Sequence, residues 1–116
     1  MNLTIMLIPA NYETKMYCTQ SKEVLKEIMK EAVNKYLLLS SRASIIANND
    51  LYIILKIPIS FSSWGETLKV SVEEQSFSIV SKCAAFFQIG AWGKNRDNVK
   101  VMCTCLQDAI THYDVK

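Results

Sequence analysis

"TLKVSVEEQSFSIVSKC", Thr67 to Cys83, decides the fold class. Leu68, Val70 and Val72 alternate with Thr67, Lys69 and Ser71. After a polar turn at Glu73-Glu74-Gln75, Phe77, Ile79 and Ser81 alternate with Ser78 and Val80. A period of two is that of a strand with one face against a core, and a short polar link between two such runs closes a hairpin. Hairpin-joined strands are antiparallel. The device recurs upstream. Ala43 to Ala47 and Leu51 to Ile57 read as two strands joined by Asn48-Asn49-Asp50, residue types that tolerate the positive φ of a tight turn. Pro58 donates no hydrogen bond and marks a bulge or the end of that run.

The period changes on either side of the hairpins. From Lys22 to Leu39, Val24, Leu25, Ile28, Met29, Ala32, Val33, Tyr36 and Leu37 make one apolar helical stripe. Lysines and glutamates alternate opposite it, with Glu31 and Lys35 in the favourable i, i+4 order, and Ser21 is placed to cap the start. A second helix is expected from Asn95 or Asp97, its stripe formed by Val99, Met102, Cys103, Leu106, Ala109, Ile110 and Tyr113. Leu3 to Ile8 and Glu13 to Thr19 read as strands; Ala84 to Trp92 is open between a strand extension and a buried connection. The order β-(β)-α-β-β-β-β-(β)-α implies an α+β fold, with an antiparallel sheet of five or six strands and two helices packed on one face.

A chain of 116 residues, half of them hydrophobic and 21% charged, suits one domain over residues 1–116. A net charge of +2, with the basic residues interleaved among acidic ones, argues against nucleic acid as a partner. No run approaches the ~20 apolar residues of a membrane span. "MNLTIMLIPANY" lacks a basic start and a long apolar stretch, so no leader is expected. Cysteines 18, 83, 103 and 105 have no framework spacing, and a cytoplasmic protein with reduced thiols is expected.

The candidate chemistries were tested position by position. "GAWGKNRDN", Gly90 to Asn98, places a Gly-Lys pair before a helix, as a phosphate loop does. Aligned on Gly93-Lys94, however, Gln88 stands where the first glycine belongs and Asn95 where the Mg²⁺-binding hydroxyl belongs. The loop reads better as structural, Gly93 making the bend and Asn95 or Asp97 capping the helix. Lys94 is open between a place at the helix start and holding an acidic group from elsewhere, such as Glu66. Cys103 and Cys105 lie about 200° apart on a helix and lack a second pair, so no metal site is expected; Cys103 is assigned to the core and Cys105 to the surface. His112, near the helix end, is expected to interact with the helix dipole, with Asp108 one turn away as an alternative pairing partner, and Glu73-Glu74 falls in a solvated turn. No catalytic residue and no cofactor is assigned. The aromatics Phe61, Trp64, Phe86, Phe87 and Trp92 flank two Trp-Gly pairs; beyond packing, Trp64, Phe86, Phe87 and Trp92 are candidates for an apolar pocket or a partner patch.

"LYIILKIPISFSSWGETLKVSVEE", "FSIVSKC" and "WGKNRDNVKVMCTCL" together resemble a family of small bacterial domains of unknown function, over residues 13 to 112. Its pattern is matched at Pro58, Ser60, Trp64, Gly65, Glu66, Ser81, Trp92, Gly93, Lys94, Asn95 and Asn98; Ala91 departs from it where an acidic residue is usual. The resemblance implies the same α+β layout and assigns no catalytic residues. Gly65, Gly93, Lys94, Asn95 and Asn98 would then be structural loop positions. A non-enzymatic module that binds a protein partner or a second copy of itself is expected. The alternatives are a small apolar-ligand or lipid-binding module and, third, an enzyme using His112, Lys94 or a cysteine thiolate.

Overall fold

The computed structural model describes residues 11–40, 42–58, 65–83 and 91–115. Its elements are β1 (Asn11–Tyr17), α1 (Lys22–Leu39), β2 (Ser44–Asn48), β3 (Tyr52–Ile57), β4 (Glu66–Glu73), β5 (Ser76–Cys83) and α2 (Ala91–Val115). The fold is α+β, with a five-stranded antiparallel sheet in the order β1-β5-β4-β3-β2. α1 carries the chain from one sheet edge, β1, to the other, β2, and the hairpins then step back strand by strand until β5 meets β1. The expected strand at Leu3–Ile8 and the connection at 84–90 lie outside the described residues.

Local chemistry accounts for the boundaries. The Ser21 hydroxyl accepts from the Val24 amide, so α1 starts at the expected cap. The Asn49 side chain accepts from the amides of Leu51 and Tyr52, at 2.8 and 2.9 Å, so Leu51 stays in the turn and β3 begins at Tyr52. Gln75, at φ 53, lets the β4–β5 turn close. In β2 the register shifts between Ile45 and Ala47, leaving Ile46 as a bulge on the edge strand.

The alternation read from Thr67 to Cys83 is the alternation of burial. Ile53, Leu55 and Ile57 on β3, Leu68, Val70 and Val72 on β4, and Phe77 and Ile79 on β5 form one core with Leu25, Ile28, Met29, Ala32 and Val33 of α1 and Val99, Met102, Leu106 and Ala109 of α2. The two helices pack on each other and on this one sheet face.

α2 differs from expectation. It begins at Ala91, so Gly93, Lys94, Asn95 and Asn98 lie within the helix rather than in a loop before it, and neither Asn95 nor Asp97 caps it. A glycine in a helix costs only about 1 kcal/mol relative to alanine. Once the stripe from Val99 to Ala109 is anchored on the sheet, each preceding residue adds a hydrogen bond without a new nucleation cost.

Candidate functional site

The site is built around the start of β4. Gly65 has φ 100, a region other residues resist, and turns the chain into the sheet. Glu66 then follows the inward alternation of Leu68, Val70 and Val72, which takes its carboxylate into the core: the residue is 1% exposed. Ser81 occupies the equivalent inward position near the end of β5, paired with Leu68 and, across the next strand boundary, with Tyr12. α2 brings Asn98 over both, one residue before the buried Val99.

The amide nitrogen of Asn98 donates to Glu66 Oε1 at 3.0 Å and to Ser81 Oγ at 3.2 Å, using both of its hydrogens. Three inward polar groups from β4, β5 and α2 therefore satisfy one another where an unpaired group would cost most. The Tyr36 phenol of α1 is buried near them. Its pKa is pushed up to about 12, first by burial and then by the negative charge of Glu66, with Cys105 a lesser contributor. Glu66, Ser81 and Asn98 were each singled out in the sequence; the side chain of Lys94, a candidate partner of Glu66, lies outside the described residues. The described partner is Asn98, one helical turn further on.

The other candidates sit elsewhere. His112 lies fourteen residues beyond Asn98 on α2, about 21 Å along the helix at ~1.5 Å per residue. Its Nδ1 meets Glu31 Oε1 of α1 at 2.5 Å, while Asp108 accepts from Lys35 Nζ at 2.5 Å. The alternative His112–Asp108 pairing is replaced by these two bridges between helices. Glu31 and Lys35, expected to pair along α1, each reach across to α2 instead. The Asp108 hydrogen bond raises the Lys35 pKa. Glu73 pairs with Lys15 at 3.5 Å, and Glu74 is exposed in the turn.

The surface assignment of Cys105 is overturned, while Cys103 packs against the core only in part. Cys105 is 0% exposed and Cys103 only half-buried, because the buried stripe of α2 runs through Asn98, Met102, Cys105 and Ala109 and leaves Cys103 at its margin. Burial pushes both thiols up, and Cys18 likewise. Among the described residues no group of three His, Cys, Asp or Glu is arranged to hold a metal ion, and no helix is long and apolar enough to cross a membrane. Trp64, Phe86 and Phe87 lie outside the described residues, and of Trp92 only the backbone is described, within α2.

Exposed large apolar residues that the sequence reading missed occur at the end of α1 and along the edge strand β2. Leu38 and Leu39 close α1 beyond Tyr36, the last buried residue of its stripe, and are 85% and 64% exposed. Ile45 and Ile46 of β2 and Leu51 of the following turn are exposed as well, Ile46 by 55%. The available signal was the pair Leu38-Leu39, which lies past the last residue of the α1 stripe.

No protein-family model and no curated protein matches the chain. Among solved structures it is similar to a TBP-like protein from Parabacteroides distasonis, at 9% identity and a TM-score of 0.44 over 64% of this chain and 54% of that one. It is also similar to TTHA0849 from Thermus thermophilus, at 10% identity and a TM-score of 0.48 over 89% of this chain and 98% of that one. The chain thus spans about half the length of the TBP-like protein. At this distance neither likeness bears on what the chain binds or does.

Proposed function

We propose that the chain is a non-enzymatic protein-interaction module that associates with a second copy of itself through the β2 edge. The observation that carries this reading is that the stretch from the end of α1 through the edge strand β2 to the following turn leaves Leu38, Leu39, Ile45, Ile46 and Leu51 exposed. Apolar surface exposed in this way gains from being covered, and a two-fold contact lets one patch cover its own copy. β2 also carries no charged residue or proline to discourage a partner, whereas β1, at the opposite edge, carries Glu13 and Lys15. The bulge at Ile46 interrupts the free backbone ladder, which favours side-chain packing over open-ended strand addition. The separation of His112 from the Glu66 cluster supports the non-enzymatic part of the reading.

Sedimentation velocity across a concentration series tests it. A reversible dimer is expected for the native chain, and a monomer for Leu39→Glu/Ile46→Glu, whose positions are exposed and leave the core intact. A native chain that stays monomeric at its highest soluble concentration sinks the proposal.

A further inference from the structure

The sheet face opposite the helices collects positive charge that the sequence scatters. On that face Lys56 of β3, Thr67 of β4 and Lys82 of β5 stand in one register row, and Lys69 lies two residues along β4 from Thr67. With strands ~4.8 Å apart, the backbones of Lys56 and Lys82 are about 10 Å apart and Lys69 is about 8 Å from each. All three lysines are exposed. The ion pairs among the described residues use Lys15, Lys26, Lys30, Lys35, Arg96 and His112, and none uses this triad. Lys69 lies over the Tyr52 ring at 4.6 Å, its other side open to solvent. Thr67, Ser71 and Ser78 add hydroxyl groups between and beside the lysines.

Like charges at neighbouring positions of a sheet repel and weaken it. Three of the four lysines of α1 escape this, because Lys26, Lys30 and Lys35 each have a carboxylate within ion-pair distance. On the sheet no carboxylate among the described residues lies within ion-pair distance of the triad, and an external anion would relieve the repulsion. From this charge complementarity we infer that the open sheet face docks an acidic polypeptide segment, its carboxylates set against Lys56, Lys69 and Lys82. A single-stranded nucleic acid fits less well. No arginine lies on the strands, the aromatic beside the triad, Tyr52, is already covered by Lys69, and the exposed Tyr17 of the same face stands away from the triad on β1. Stacking platforms and a continuous basic groove are what such a strand requires. This inference is independent of the β2-edge contact, which uses different residues.

The test measures binding of the full chain to two fluorescent probes of matched charge, a poly-glutamate peptide and a single-stranded oligonucleotide. The peptide is expected to bind at low ionic strength and to weaken as salt is added. The triple variant K56Q/K69Q/K82Q should bind it about tenfold more weakly or worse, as expected when charges on one docking face are lost. The α1 control K22Q/K26Q/K30Q should bind like the native chain. All the substituted lysines of the sheet are exposed, and the single variant K82Q, with a smaller loss of the same sign, serves if the triple variant does not fold. No peptide binding, an equal loss in the α1 control, or tighter binding of the oligonucleotide than of the peptide would each overturn the inference.

Discussion

Asn98 holds more of this fold than its size indicates. One amide nitrogen joins α2 to β4 and β5 and supplies a hydrogen bond to a carboxylate that is almost wholly removed from water. Replacing it with leucine should destabilise the chain by about 2–4 kcal/mol, since Glu66 stays buried without this donor. Glu66→Gln, which removes the buried charge but keeps an acceptor, should cost less. Urea unfolding of the two variants checks the order; equal costs would show that the charge of Glu66 is not the controlling feature. Tyr36 gives a second prediction at this scale. Its pKa is raised in the folded chain to about 12, from an unfolded value near 10. Folding therefore retains a proton that the unfolded chain releases first. The resulting stability is fully present below pH ~10 and is lost as pH rises through ~12. Ultraviolet titration should show one phenol ionising last, and Tyr36→Phe should remove that step; a titration unchanged by the substitution would contradict the assignment.

At the scale of elements, α1 is the most locally specified part of the molecule. Its stripe, its length and its cap were all legible, because each depends on residues within a turn or two. Ser21→Ala should cost about 0.5–1 kcal/mol of stability, the lower part of the range for caps, since the hydrogen bond to Val24 is long and exposed. Thermal melts can resolve a change of that size. The strand alternation was equally readable in β4 and β5. α2 was less so: Gly93 and Asn95 are good local stop and cap signals, yet packing of the stripe beyond them decides that the helix starts at Ala91. The pairing of Lys35 with Asp108 and of His112 with Glu31 was illegible, because each joins residues more than seventy positions apart and competes with a plausible partner on the same helix. Asp108→Asn should bring the Lys35 pKa back down, as read by NMR of the lysine side chain, with little effect on stability because the pair is exposed.

For the whole molecule, both helices and the central strands share one hydrophobic cluster, so its opening should be cooperative. Cys105 reports on that opening. It is fully buried within the cluster, and its thiol becomes accessible only when the core comes apart, whereas Cys18 and Cys103 lie at the margin. Thiol labelling followed by peptide mass spectrometry should find Cys105 slowest of the three, and Asn98→Leu should accelerate it. Labelling of Cys105 as fast as Cys18 in the native chain would mean that α2 opens on its own.

The sequence by itself determined the α+β class, the antiparallel pairing and the inward faces of β4 and β5, because periodicity and turn chemistry act over a few residues. It also singled out Glu66, Ser81 and Asn98 without joining them. Only the tertiary structure decided that these three meet, that Cys105 rather than Cys103 is buried, and that Lys56, Lys69 and Lys82 share one open face while Leu39 and Ile46 are left exposed at one edge. The physical reason is the same in each case. A side chain's direction follows from its local period, but its neighbours depend on strand order, register and helix placement, which the whole core settles together.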